Sequence, residues 1–334
     1  MSRLVSMLLA IALIAAACSS AASAEETALT VYSGRSEELV GPLIERFEDE
    51  SGIEVSVRYG DSAELAATIL EEGDRSPASV FLAQDPASLG SVALAGLFSP
   101  LGAELLDRVP DEFSDRDGLW VGVSGRARSV VYDPSTTSPG DLPPTEDGLT
   151  DEQWAGRVGI APTNGSFLSF VAAKILIDGE ASTLSWLEAM KANQSPTFPK
   201  NSTIVSAVAD GQVETGLVNH YYALRLLAED PAASVANAFF TEACAGSLVM
   251  PAGVGILASA DAPTTAEAFV AYLLSVEAQE YFAQETFEYP LVPGVVPSGD
   301  LPPIDSIPTP AINLSDLAPM LDVATDLVAE AGLL

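Results

Sequence analysis

The chain has few of the residues on which most catalytic sites depend. Its 334 residues include one histidine, His220, and two cysteines, Cys18 and Cys244. A single histidine leaves little for a Ser-His-Asp arrangement, and no G-x-S-x-G, G-x-G-x-x-G, Walker or H-E-x-x-H motif occurs. Gly122-Val123-Ser124-Gly125 has only a superficial likeness to a nucleophile elbow. A hydrolytic enzyme is therefore the least favoured function.

Positive charge is also scarce. The chain has 14 lysines and arginines against 47 acidic residues, for a formal net charge of −33. Such a surface repels nucleic acid and anionic lipid. A solvated acidic coat explains most of this charge; a negative field also draws cations, but it does not identify a metal binder.

The N-terminus has the layout of an export signal. Arg3 precedes an apolar stretch from Leu4 to Ala17, which is short for a membrane span, and small residues follow to Ala24. We therefore interpret residues 1–24 as a leader. Cys18 lies in a lipobox-like context, which predicts a lipid anchor on the outer face of the cytoplasmic membrane. Cleavage after Ala24, giving a soluble periplasmic protein, is the alternative.

The cysteine count also limits covalent cross-links. If Cys18 carries lipid, the chain cannot form an internal disulfide, and Cys244 is then a small apolar residue. The fold must rest on its hydrophobic core. The roughly 310 residues after the leader suffice for two domains.

Strand and helix patterns alternate along the mature chain. This alternation predicts an α/β fold with largely parallel sheets. The patterns include a strand at 157–161, a helix at 167–177 and a final helix at 317–331. Two long β-rich segments, 119–133 and 247–257, are predicted to pass between two lobes. We expect one lobe over 28–120 plus about 252–300, and the other over about 121–251 plus 301–334.

Four segments follow predicted strands and precede predicted helices. They are 33–38, 83–85, 163–166 and the pair Tyr221-Tyr222. Ligands bind beyond the carboxyl ends of strands in such folds, so a cleft lined by these segments is expected. Asn164-Gly165-Ser166 suits either a bound anion or a plain helix cap. Two adjacent phenols are hard donors that suit Fe(III), although tyrosines most often only pack.

A resemblance favours the metal interpretation. From Thr30 onwards the chain resembles the periplasmic ferric-ion-binding proteins of bacterial ABC importers, which are type II periplasmic binding proteins. The matching segments, in family order, are VYSGRSEE, EEGDRSPASVF, SGRARSVVYD, APTNGSFL, KNSTIVSAV, GLVNHYYAL and EYPLVPGVV. The resemblance implies two α/β lobes joined by a hinge of two β-strands, with the ligand cleft between them.

The same resemblance implies roles for individual residues. Tyr221 and Tyr222 match the family's two metal-bound phenolates. The loop 164–166 matches the site of a synergistic anion, phosphate or carbonate, and Asn201 and Asn219 match polar residues beside that anion. The chain lacks the third tyrosine of another subgroup, which indicates the anion-assisted type.

Two positions depart from the family pattern. Ser36 replaces a histidine ligand, and Gln84 replaces a glutamate. Glu37 and Asp85 are the nearby carboxylates able to compensate, so these four positions are additional metal-ligand candidates. His220 directly precedes the tyrosine pair, and we expect it beside the site or at the surface, because consecutive side chains point in different directions.

These features together predict a monomeric, extracytoplasmic substrate-binding protein that is not an enzyme. It would bind Fe(III), as the free ion or a chelate, with a synergistic anion, and deliver the iron to a membrane permease. The alternative within the same fold is a phosphate- or phosphonate-binding protein, for which Arg35, Arg126 and Arg128 are the best placed basic residues.

Overall fold

The computed structural model describes residues 28–334. The predicted leader at 1–24, with Cys18, lies outside the described residues. Within residues 28–334, no helix is both long and apolar enough to cross a membrane. The described chain forms a mixed sheet with helices packed around it.

Eight strands and eleven α-helices make up the described part of the chain. The strands are β1 (Ala28–Ser33), β2 (Glu54–Tyr59), β3 (Val80–Ala83), β4 (Val121–Tyr132), β5 (Val158–Gly159), β6 (Thr215–Asn219), β7 (Ala236–Ala238) and β8 (Val249–Ile256). The helices are α1 (Glu37–Ser51), α2 (Ser62–Glu72), α3 (Pro86–Leu94), α4 (Ala103–Leu106), α5 (Gly165–Asp178), α6 (Glu180–Ala192), α7 (Asn201–Ala209), α8 (Tyr221–Glu229), α9 (Pro263–Leu273), α10 (Val276–Gln284) and α11 (Leu321–Glu330).

The sheet has the strand order β2-β1-β3-β8-β4-β6-β5, with β7 also paired to β4. Strands β1, β2 and β3 run parallel, as do β5 and β6. Every pairing made by β4 and β8 is antiparallel. The expectation of largely parallel sheets is therefore wrong. Strands β8 and β4 lie next to each other in the middle of the sheet, and each runs antiparallel to both of its neighbours in the strand order.

Strand β4 belongs to both halves of this sheet. Its first part, Val121–Ala127, pairs with β8, and its second part, Arg128–Tyr132, pairs with β6. All 12 of its residues are buried, which explains its nearly continuous run of β-forming and small residues. The long segments predicted to pass between two lobes are thus the strands that join the two groups of parallel strands.

The structure shortens two predicted elements. The strand expected over 157–161 is only Val158–Gly159. The last helix begins at Leu321 and not at Leu317, because Pro319 cannot donate a backbone hydrogen bond and lies in a short 3₁₀ turn. Leu327 and Val328 of this helix join the core cluster that contains Phe170, so the C-terminal helix packs against α5.

Candidate metal and anion site

The four segments expected to line a cleft do meet in the structure. A cleft of about 600 Å³ is lined by Gly34 and Ser36 after β1, Gln84 after β3, Asn164 before α5, and the tyrosine pair. Its walls also include Asp61, Lys200, Glu38 and Arg225. The cleft thus lies beyond the carboxyl ends of strands on both sides of β4 and β8, where open α/β sheets bind ligands.

The tyrosine pair forms the first turn of α8. Strand β6 ends at Asn219, His220 is the N-cap residue, and Tyr221 and Tyr222 follow. The two rings stack, with centroids 4.2 Å apart and an angle of 29° between their planes. Tyr221 is 1% exposed and Tyr222 is half-buried, yet both line the cleft. Both tyrosine side chains thus contribute to the wall of the same cleft.

The surroundings hold Tyr221 in its neutral form. Burial raises the pKa of Tyr221, and the neighbouring Tyr222 adds to the rise, whereas Arg126 and Arg35 oppose it. A phenol in this position ionises only when a cation replaces its proton. The two arginines lower the cost of that ionisation.

The loop at Asn164 is organised by hydrogen bonds. The Asn164 side chain accepts from the Ser166 amide at 3.1 Å and from its hydroxyl at 2.6 Å, so Asn164 does cap α5. Asn201 donates to Ser166 Oγ at 2.9 Å. Arg128 Nη1 lies 3.4 Å from both Ser166 Oγ and Asn219 Oδ1. The residues expected at the anion therefore form one polar cluster, and Gly165 has open space where a Cβ would stand.

Three buried arginines lie beside this cluster or near the tyrosine pair. Arg35 and Arg126 are each 1% exposed and Arg128 is fully buried. Within residues 28–334, Arg126 Nε, two nitrogens of Arg128 and two of Arg35 have no hydrogen-bond partner. Burial and the charge of Arg126 lower the pKa of Arg128 to about 9. A buried guanidinium donor without a hydrogen-bond partner destabilises a protein core. Such donors fit a site that binds an anion, because the anion would accept charge-assisted hydrogen bonds from them.

The four additional metal-ligand candidates fall in different places. Ser36 and Gln84 line the cleft. Gln84 donates to the Gly34 carbonyl at 2.7 Å, and its own carbonyls face Arg126. Glu37 is exposed and lines a separate groove beside α1. Asp85 is 7% exposed, caps α3 and faces a smaller pocket. Among the described residues, no group of three or more His, Cys, Asp or Glu side chains forms a metal site.

His220 is fully buried, so the surface position considered for it is wrong. Its Nδ1 lies 3.3 Å from the Ala127 carbonyl and its Nε2 lies 2.9 Å from the Phe287 carbonyl. Both ring nitrogens thus face backbone oxygens. The ring joins the start of α8 to β4 and to the segment at Phe287, beside the tyrosine pair.

Sequence reasoning missed Glu288. This carboxylate is fully buried and accepts from Arg35 Nη2 at 2.7 Å and from Ser124 Oγ at 2.7 Å. Ser124, the residue with a superficial likeness to a nucleophile, is therefore bonded to a carboxylate and not to His220. Glu288 lies inside the matching segment EYPLVPGVV, but nothing in its local pattern marks a buried acid.

Fold and site together define an α/β protein with a polar cleft beyond the carboxyl ends of its strands. The model of the family described as "Bacterial extracellular solute-binding protein" matches residues 76–306. A sequence relative, the "Fe(3+)-binding periplasmic protein" of Serratia marcescens, is 32% identical over 98% of this chain and 96% of its own length. The chain belongs to this family of solute-binding proteins.

Solved structures have the same architecture. Iron-bound HitA from Pseudomonas aeruginosa matches with a TM-score of 0.86 and 33% identity, over 91% of this chain and 99% of that one. A Trichodesmium protein (IdiA, FutA) in complex with iron and citrate matches with a TM-score of 0.81 and 29% identity, over the same shares. The chain therefore has the two-lobed type II periplasmic binding protein fold.

Proposed function

We propose that this protein binds Fe(III) outside the cytoplasm and hands it to the membrane permease of an ABC importer. The stacked pair of Tyr221 and Tyr222 in the wall of the cleft carries this proposal. Phenolate oxygen is a hard anionic donor that favours a hard trivalent cation. The ferric-binding relatives support the choice of iron.

In this proposal an anion completes the metal site. Few carboxylates line the cleft, and Glu38 in its wall is paired with Arg225. A synergistic anion held by the loop 164–166 and Asn201 would supply further oxygen donors, and water would fill the remaining positions. The unpartnered donors of the buried arginines support an anion here, because they offer charge-assisted hydrogen bonds.

Delivery depends on the two lobes. We propose that β4 and β8 act as the hinge between lobes with the boundaries given above, and that closure about the metal produces the shape a permease recognises. The mode of action is then binding and release without turnover.

A ferric titration of the purified protein tests the proposal. Fe(III) bound by phenolates gives an orange-red charge-transfer absorption, which we expect to saturate at one iron per chain in the presence of phosphate or carbonate. Tyr221→Phe and Tyr222→Phe each remove one anionic donor and keep most of the packing, so each should lower iron affinity by orders of magnitude. Variants that bind iron like the parent would contradict the assignment.

A second candidate is an anion-binding protein of the same fold that takes phosphate or a phosphonate without metal. The three buried arginines favour it, because in a very acidic chain Arg126 and Arg128 place positive charge beside the loop 164–166 and Arg35 places it near the tyrosine pair. A colourless ferric mixture together with tight phosphate uptake would select this candidate, and in that case the tyrosine variants should change phosphate affinity only modestly.

A further inference from the structure

A second, smaller pocket lies beside the cleft. Its volume is about 80 Å³. A cavity of this size holds a few water molecules and so suits one small oxyanion, not a drug-sized ligand. Asp61, Gln84 and Asn164 line both the small pocket and the cleft. The two spaces therefore share a wall, and a ligand in the small pocket would lie next to one in the cleft.

Three helices begin at this small pocket. Ser62 and Ala63 start α2, Ser88 lies in the first turn of α3, and Gly165 and Ser166 start α5. Helix N-termini carry partial positive charge and favour anions. The convergence of three of them on one pocket strengthens that preference, although helix ends alone do not make a site.

Two buried side chains supply independent evidence for a ligand. Arg126 is 1% exposed, lines the small pocket, and its Nε has no partner among the described residues. Ser169 is fully buried, lines the same pocket, and its hydroxyl likewise has no partner. An oxyanion would accept from both donors and would neutralise the guanidinium charge.

Asp85 makes this pocket unusual for an anion site. Its carboxylate lines the pocket and is 7% exposed. Oδ1 accepts from the Ser88 amide at 2.8 Å and Oδ2 accepts from the Ser88 hydroxyl at 3.0 Å, so each oxygen retains capacity for one more donor. A carboxylate repels a fully ionised anion and attracts one that carries a proton.

We propose that the small pocket holds the protein's anion, and that Asp85 selects oxyanions that carry a proton, such as hydrogenphosphate or hydrogencarbonate, over sulfate. The anion's O–H group would donate to the Asp85 carboxylate, while Arg126 and Ser169 donate to its other oxygens. Sulfate has no proton to offer at neutral pH, so its oxygen would face the carboxylate with no hydrogen bond between them. Asp85 is then a specificity-determining residue of the anion site.

This inference rests on the proposed function, because it places the anion proposed there, but calorimetry on metal-free protein tests it separately. Phosphate, hydrogencarbonate and sulfate are titrated in turn into the parent protein and into Asp85→Asn. Asparagine is also a good N-cap, so the variant should keep α3 intact, and Asp85→Ser provides a second variant of that kind. Asp133→Asn is the matched control, because Asp133 is also a nearly buried aspartate, accepts from the amide and the hydroxyl of Ser135 as Asp85 does from Ser88, and lines neither the cleft nor the small pocket.

We expect the parent to bind phosphate at least about tenfold more tightly than sulfate, since a site built for a donor rejects an analogue that lacks it. In Asp85→Asn the two affinities should come within about threefold, mainly through a gain for sulfate. Asp133→Asn should keep the parent's ratio, and Arg126→Gln should weaken both anions.

Three outcomes would overturn the inference. They are equal binding of sulfate and phosphate by the parent, an unchanged ratio in both Asp85 variants, or no anion binding by metal-free protein. A coloured ferric complex in the same preparation would leave the iron proposal standing in each case, so the two failures are distinguishable.

Discussion

Arg35 and Glu288 form a buried ion pair that joins the loop after β1 to the segment that follows α10. Arg35 Nη2 donates to Glu288 Oε1 at 2.7 Å, and the side chains are 1% and 0% exposed. The ion pair raises the pKa of Arg35 even though burial alone would lower it. Arg35 thus remains a fixed cation near the tyrosine pair because Glu288 is there.

Removing the charge of Glu288 should therefore destabilise the protein. Glu288→Gln keeps the side chain's shape but leaves Arg35 buried without a counter-ion, for which we expect a loss of about 3 kcal/mol in the free energy of unfolding. Urea denaturation at neutral pH measures it. Asp316→Asn is the control, because it breaks an exposed pair with Arg116 and should cost less than about 1 kcal/mol. Equal effects of the two variants would contradict the role of Glu288.

Iron binding by two neutral phenols should release protons. Because Tyr221 is held neutral by burial and by Tyr222, we expect Fe(III) to displace about one proton from each tyrosine, so affinity falls about tenfold per proton for each pH unit of acidification. Tyr221→Phe should lower the slope of log affinity against pH by about one relative to the parent. Competition with a chelator at several pH values measures the slope for the parent and for the variant. The chelator's own protonation affects both slopes equally and so cancels in their difference.

Tyr132→Phe is the control for this slope, because Tyr132 is a buried tyrosine of β4 that does not line the cleft. It should keep the parent's slope. A parent slope near zero would mean that the metal does not bind through phenolates.

Much of the site followed from local patterns, whereas its buried charges did not. Alternating strands and helices predicted that four loops would meet, since the ends of neighbouring strands lie together. Glu288 was missed because its partner Arg35 is 253 residues away. The burial of His220 was not predicted, because the carbonyls that its ring nitrogens face are 93 and 67 residues away in the sequence. The direction of the sheet was likewise mispredicted, since the pairing of β4 with β8 is a long-range contact.

Arg225 of α8 and Glu38 of α1 form an ion pair at the wall of the cleft. Their side chains are 23% and 72% exposed, so the pair should contribute at most about 1 kcal/mol, or about fivefold in a rate. If the pair holds the cleft closed, Glu38→Gln and Arg225→Gln should each speed iron release by about two- to fivefold at low salt. Stopped-flow transfer of iron to a chelator measures the rate.

The double variant distinguishes a direct pair from two separate charge effects. Removing both partners should speed release no more than removing one, since the second change has no interaction left to break. High salt should reduce the differences. Glu214→Gln, which breaks a pair with Arg157 outside the cleft, should leave release unchanged. Fully additive effects would mean that Glu38 and Arg225 do not act as a pair in iron release.

Burial of His220 should make the protein sensitive to acid. Burial lowers the pKa of His220 to about 4, although the Ala127 and Phe287 carbonyls oppose this shift. An unfolded histidine has a pKa of about 6.5. Between these values the unfolded chain takes up a proton that the folded chain does not. The contribution of the neutral, buried His220 to the free energy of unfolding is therefore fully present above about pH 6.5 and is lost as the pH falls towards 4.

A comparison with His220→Gln isolates this effect from the titration of the carboxylates. The free energy of unfolding of the parent minus that of the variant should fall by about 2 to 3 kcal/mol between pH 7.5 and pH 4.5, because burial lowers the pKa of His220 to about 4, well below its value of about 6.5 in the unfolded chain. Urea denaturation across this range gives the two curves. Parallel curves would mean that the pKa of His220 in the folded state is close to its unfolded value. A difference that rises on acidification would mean that His220 is already protonated in the folded state, with both ring nitrogens donating to the two carbonyls that face them.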